Sequence, residues 1–255
     1  MGVPQGPRTG VVGLRREFGY SRTMNKARVF GAVVVVVAVA LLIYGAVWYF
    51  NRPAPTPEPV AIEPDFLVAI DPGHGGRDPG AVEGDIYEKD VNLAISKKVK
   101  QLIDADPTMD AVMTRDIDLY ISLEDRIAFA EEQGADLYVS IHINSFSDPE
   151  VGGVEVLVDN TRSDDDASYV LASLLQDALV EATGWRDRGV RTQESYLQRT
   201  TMPAVSAEIG YLSNPSERES LTSEAFQQTV AQAVVQGIRD FLERQYPAPA
   251  TDETS

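Results

Sequence analysis

Cysteine is absent from all 255 residues. Disulfides are thereby excluded as a source of stability, and a metal site would have no thiolate to draw on. Histidine is almost absent. His74 sits in Asp71-Pro72-Gly73-His74-Gly75-Gly76 and His142 in Ser140-Ile141-His142-Ile143-Asn144-Ser145, and there is no other. Bases are scarce too, with 22 Lys and Arg against 39 Asp and Glu and a net charge of −17. The segment before Pro53 holds seven bases (Arg8, Arg15, Arg16, Arg22, Lys26, Arg28, Arg52) and one acid, Glu17, or +6, so the remainder carries −23. Such a remainder repels nucleic acid and gains nothing from anionic surfaces. It reads either as adaptation to high salt or as an ordinary acidic surface.

Charge is missing altogether from Val29 to Asn51, where Val33 to Val37 and Ala38 to Val47 form an apolar run longer than a signal-peptide core of about 7–15 residues. The expectation is a transmembrane signal anchor over 29–50. The preceding bases place the tail 1–28 in the cytoplasm and everything after Arg52 outside, with Tyr44, Trp48, Tyr49 and Phe50 at the outer interface. No small-residue cleavage box lies between Tyr44 and Pro53, which favours a retained anchor over a cleaved signal peptide. Met24 is an alternative start that leaves this topology unchanged. Pro53, Pro55, Pro57, Pro59 and Pro64 make 51–64 a semi-rigid spacer, on the order of 40 Å long at about 3.1 Å per residue. The tail 247–255 reads as disordered.

Between spacer and tail, short apolar runs alternate with helical periodicity. Strands are expected at Phe66–Asp71, Ala111–Thr114, Asp136–Ile143, Val154–Val158 and Val205–Leu212. Helices are expected across Lys89–Ala105, from Ser122 to near Gly134, and around Val170, Leu174, Leu175 and Leu179. Two more begin at Asn214-Pro215 and along the stripe Phe226, Val230, Val234, Ile238 and Phe241. The order implies a single α/β domain over 65–246, a mostly parallel twisted sheet flanked by helices and preceded by one transmembrane helix, with ligands beyond the carboxyl ends of the strands.

That is where the histidines fall. His74 follows the first strand, Glu88 opens the first helix of the domain, His142 ends the third strand and Glu208 lies on a late one. Two neutral imidazoles and a carboxylate suit Zn2+, with a fourth position left for water and Glu208 free to take its proton. Each histidine alone could equally be a hydrogen-bonded surface residue, and Glu88 a favourable first-turn charge. No His-Glu-x-x-His is present, and the glycine loop lacks both the dinucleotide spacing and the Walker lysine. Spacing therefore leaves these alternatives open.

Seven segments narrow them. Asp-Pro-Gly-His-Gly-Gly-x-Asp-x-Gly (71–80), Glu-Lys-Asp-Val-Asn-Leu (88–93), Thr-Arg-Asp (114–116), Ser-Leu-x-x-Arg (122–126), Ser-Ile-His-Ile-Asn-Ser (140–145), Gly-Val-Glu-Val (153–156) and Ala-Glu-Ile-Gly-Tyr-Leu-Ser-Asn-Pro-x-Glu (207–217) occur in this order. The pattern resembles the zinc-dependent N-acetylmuramoyl-L-alanine amidases of the amidase-3 type from about Leu67 to Tyr246. The resemblance implies that His74, Glu88 and His142 bind zinc and that Glu208 is the catalytic glutamate. It implies peptidoglycan as substrate, cleaved between the lactyl group of N-acetylmuramic acid and L-alanine of the stem peptide. Asp71 and Asn144 are candidates for orienting the histidines, and either could equally cap local backbone. Alternatives within the same fold are an inactive peptidoglycan-binding scaffold and a zinc amidohydrolase for another amide. Division-linked relatives carry an inserted helix that plugs the cleft. Here only the polar loop Asp159 to Asp166 precedes the next helix, so no obligatory activator is expected.

Overall fold

The computed structural model describes residues 26–52 and 65–247. Residues 1–25 of the basic tail, 53–64 of the proline-rich spacer and 248–255 of the C-terminal tail lie outside the described residues. The chain divides into two units, Met1–Val60 and Ala61–Ser255.

Among the described residues the first unit holds one helix, α1 (Lys26–Asn51), of 26 residues, which at about 1.5 Å per residue is long enough for a hydrocarbon core of about 30 Å. Arg28–Asn51 is apolar enough to cross a membrane, and none of it is buried. Its valines, leucines and aromatics are exposed among the described residues.

The second unit opens with β1 (Phe66–Pro72), followed by the short antiparallel hairpin β2 (Val82–Glu83) and β3 (Ile86–Tyr87). Then come α2 (Glu88–Ile103), β4 (Met109–Met113), α3 (Leu123–Gln133), β5 (Leu137–Asn144), β6 (Val154–Asp159) and α4 (Ala167–Thr183). The chain ends through β7 (Asp187–Gln193), a 3-10 turn at Tyr196–Arg199, β8 (Ala204–Tyr211), α5 (Pro215–Leu221) and α6 (Glu224–Gln245). Six strands form one sheet in the order β4-β1-β5-β8-β6-β7. All neighbours are parallel except β6 and β8.

Alternation along the central strands divides the sheet into two unequal faces. Val68 and Ile70 of β1, Leu137, Val139, Ile141 and Ile143 of β5, and Val205, Ala207 and Ile209 of β8 point into the main core, against α2, α4 and α6. The opposite face is thinly covered. Ala69, Tyr138 and Ala204 form a small cluster with Ile127 and Ala130 of α3 and Leu197 of the 3-10 turn, edged by the partly buried Val112, Ala135, Tyr196 and Met202, and this face carries the polar residues.

The expected helix boundaries hold to within two residues where the caps are explicit. Ser122 accepts from the Asp125 amide, Gly134 closes α3 at φ 73°, and Asn214 accepts from the Ser216 and Glu217 amides. Strand ends differ from expectation by no more than two residues. The sequence reading missed β7, because Asp-Arg-Gly-Val-Arg-Thr-Gln holds a single strong apolar residue; as an edge strand it needs no alternating pattern. The buried stripe of α4 runs through Leu171, Leu175 and Leu179, while Val170 and Leu174 are only partly buried at its margin.

Candidate metal centre

The turn after β1 positions His74. Its φ of 61° is the one positive value at a non-glycine among the described residues, and Gly75 and Gly76 follow at 130° and 58°. Left-handed backbone at a residue with a Cβ costs of order 1–3 kcal/mol and persists only when its surroundings hold it. Two buried arginines do so. Arg126 donates to the carbonyls of Pro72 (2.9 Å) and His74 (2.6 Å), and Arg115 to those of Pro72 (2.9 Å) and Gly73 (2.8 Å). Arg126 is in turn fixed by Asp71, fully buried at 2.6 Å, which also accepts from Thr114, Ser140 and Tyr196.

The His74 ring is oriented by Asp78, whose carboxylate accepts from Nδ1 at 2.9 Å. Nε2 faces Glu88 Oε1 at 3.2 Å and, with Nδ1 held by Asp78, is the nitrogen a metal would engage once its proton is lost. Glu88, the first residue of α2, is buried; its Oε2 accepts from the Ala81 amide at 2.8 Å and its Oε1 from the Ile143 amide at 3.1 Å and Asn92 at 3.2 Å. His142 projects from β5 with Nδ1 3.0 Å from the same Oε1. Its ring lies directly on Gly73, where any Cβ would collide with it. The three ligand atoms lie within 4.8 Å of one another. Two imidazoles whose ring nitrogens face one backbone-anchored carboxylate fit, once deprotonated, the donor set of a zinc ion.

Mutual electrostatics mark the cluster. Burial would lower His74, but the hydrogen bonds and charges of Glu88 and Asp78 outweigh it and push the imidazole up to about 9. Burial likewise opposes a rise at His142, which Glu88 and Glu208 still bring about. Glu88 would be raised by burial, yet both histidines hold it far below the usual carboxylate range.

Glu208 is the strand neighbour of His142 on one side and of Glu155 on the other. Among the described residues its carboxylate has no hydrogen-bond or ion-pair partner. Burial pushes it up to about 7, with Glu88 and Glu155 adding to the rise and His142 opposing it. It borders a cleft of about 570 Å³ on the thinly covered face, lined also by His142, Ser206, Leu157, Tyr196 and Leu123.

His74, Glu88, His142 and Glu208 thus meet on one face. Asp71 and Asn144 were expected to orient the histidines, and neither touches an imidazole. Asp71 acts on the turn through Arg126, while Asn144 donates to Glu155 at 2.7 Å, because β5 has already shifted register between His142 and Asn144. Sequence reasoning assigned no role to Asp78, Arg115 or Arg126, although all three lie in the quoted segments. A carboxylate four residues after a histidine was the available signal for Asp78.

An α/β sheet carrying two histidines and a carboxylate that could hold a metal ion, with a free glutamate beside them at a cleft, is the arrangement of a hydrolytic site. Comparison with known proteins narrows the class. The family model for N-acetylmuramoyl-L-alanine amidase matches residues 68–240. YqiI of Bacillus subtilis (strain 168) is 39% identical over 178 residues, covering 69% of this chain and 85% of that one. The N-acetylmuramoyl-L-alanine amidase LytC of the same organism is 34% identical over 171 residues, covering 67% of this chain and 34% of LytC. A crystal structure of an N-acetylmuramoyl-L-alanine amidase from Clostridium difficile 630 aligns with a TM-score of 0.68 at 36% identity, over 71% of this chain and 98% of that one. The chain belongs to the N-acetylmuramoyl-L-alanine amidase family.

Proposed function

We propose that this chain is a membrane-anchored, zinc-dependent amidase that hydrolyses the bond between the lactyl group of N-acetylmuramic acid and L-alanine of the peptidoglycan stem peptide. The observation that carries the reading is the unpartnered Glu208 carboxylate beside the His74, Glu88 and His142 cluster, in a chain of this family. A bound zinc ion supplies Lewis acidity toward the lactyl carbonyl and toward water. Asp78 holds His74 in the tautomer that presents Nε2, and the Ile143 and Ala81 amides fix Glu88. Glu208 takes a proton from the attacking water and returns it to the departing amine, without which an amide nitrogen leaves poorly. A carboxyl raised to about 7 is suited to both transfers. The buried arginine clamp keeps the His74 turn in register while these steps occur.

The helix Arg28–Asn51 supports a single-pass anchor in the cytoplasmic membrane, with the catalytic domain 65–246 on the outer side. The spacer 51–64 would then set its reach. Only Asn160–Asp166 separates β6 from α4, and α4 packs into the core on the face away from the cleft, which supports activity without an activator. The test is a digest of purified peptidoglycan with mass spectrometry of the released ends. His142→Ala should lose zinc and all hydrolysis, whereas Glu208→Gln should keep zinc and lose roughly 10²-fold or more of the rate. Ends other than free L-alanine amines, or near-normal turnover in Glu208→Gln, would overturn the reading.

A further inference from the structure

On the open face of the sheet, chemistry-bearing residues follow the strand order. His74 lies beyond β1, His142 is on β5, Glu208 on β8, Glu155 on β6, and Arg188 and Arg191 on β7. Glu155 is buried. Its Oε1 accepts from Asn144 at 2.7 Å and Tyr211 at 3.1 Å, and its Oε2 faces Arg188 at 3.2 Å and Arg191 at 2.9 Å. One carboxylate is thus matched by two guanidinium groups. Arg188 is the fixed partner, with a side chain 19% exposed, lying 5.1 Å over the Tyr211 ring. Arg191 is the surplus one. Its Nε also approaches the Arg188 carbonyl at 3.3 Å, its terminal nitrogens have no partner among the described residues, and its side chain is 54% exposed. A surplus cation is conspicuous where the chain beyond Arg52 carries −23, and it lies two strands or about 10 Å from Glu208.

The order of the row says which part of the substrate would meet it. In the reaction proposed above, on which this inference rests, the carbonyl lies toward the histidines and Glu208 protonates the leaving nitrogen. The leaving peptide therefore continues past Glu208 toward β6 and β7. One residue of extended chain spans about 3.3–3.6 Å, so a carboxylate on the residue after L-alanine comes within reach of Arg191. We propose that Arg191, backed by Arg188, receives the carboxylate of an acidic residue adjoining L-alanine in the leaving peptide and so favours stems with that group free over stems in which it is amidated.

The probes are a synthetic N-acetylmuramoyl tripeptide whose second residue carries a free carboxylate, its carboxamide counterpart, and the two corresponding free tripeptides. The full chain in detergent micelles with zinc should cleave the acid with kcat/KM roughly two- to fivefold above the amide, carried by KM, as expected of a partly exposed charge pair. Arg191→Gln should bring the ratio to about one, and Arg191→Lys should restore most of it. Equal kcat/KM for the two substrates in the wild type, or the same proportional loss on both in Arg191→Gln, would overturn the assignment. Calorimetry with the free tripeptides separates this inference from the reaction itself. Tighter binding of the acid by the wild type but not by Arg191→Gln supports the subsite even if no bond is cleaved, and equal binding of both by the wild type refutes it.

Discussion

Replacing Arg126 by Met should unfold the frame of the site in a way whose pH dependence identifies the cause. Arg126 is 2% exposed and Asp71 0%, and they meet at 2.6 Å. With Met at 126, Thr114, Ser140 and Tyr196 still donate to Asp71, but its charge has no counterion. Removing one partner of a buried pair costs about 3–5 kcal/mol, or roughly 6–20 °C in Tm for a domain of this size. In the wild type, burial raises Asp71, yet Arg126 and the hydrogen bonds outweigh it and hold the carboxyl below its ordinary value. Its contribution to stability is therefore complete above the unfolded value of about 4 and lost as pH falls through the folded one. Without Arg126 burial loses its main opponent, the folded value moves above the unfolded one, and the sign reverses: the variant loses stability as pH rises through that window. The gap between the two proteins should be widest near neutrality and narrow below about pH 4. Urea denaturation of residues 61–255 measures it. Trp185, the one tryptophan in that stretch, packs 4.8 Å from Phe226 and reports on the core. A loss under about 1 kcal/mol, or a gap independent of pH, would refute the argument.

Further outcomes are expected. With His74 pushed up to about 9 and His142 also raised, the metal-free domain gains stability that is complete below the unfolded imidazole value of about 6.5 and lost as pH rises toward 9. Zinc must expel those protons, so its calorimetric enthalpy at pH 7.5 should depend on the buffer and its affinity should climb with pH; an enthalpy common to all buffers would exclude this coupling. Gly73→Ala drives a Cβ into the His142 ring and should weaken zinc binding about 10–100-fold, read in a competition titration with a chelator; unchanged affinity would show that the ring has room to move. If the acidic surface is adapted to salt, the Tm of residues 61–255 should rise over the first few tenths molar sodium chloride, where the Debye length falls below about 10 Å. A flat or falling curve favours an ordinary acidic surface.

Elements with strong local chemistry were legible in the sequence, and those defined by a distant partner were not. Ser122, Gly134 and Asn214 announce their helix ends because a cap depends on residues within one turn. The buried runs of β1, β5 and β8 need no partner to be seen. By contrast, β7 exists because β6 offers it an edge, and β2 with β3 because the chain must turn back to bring Glu88 under His142. His74, Glu88, His142 and Glu208 could be named from motif order, but their convergence depends on the placing of β8 beside β5, which no local pattern encodes. Asp71 shows the limit most clearly. A carboxylate three residues before a histidine suggests a direct partner, yet in a strand ending at Pro72 its side chain turns toward Arg126, 55 residues on.

The alternation of β5 has a consequence for how this domain can change. Ile141, His142 and Ile143 point in turn to the core, the cleft and the core, and on β8 Ala207, Glu208 and Ile209 do the same. A one-residue slip in either strand would put a histidine or a glutamate into the apolar layer and an isoleucine into the cleft. Insertions in these two strands are therefore forbidden on two independent grounds at once, while the edge strand β7 and the loops around the cleft remain free to drift. Substrate preference in such a molecule can be rewritten from its rim inward, but its reaction can only be kept or lost.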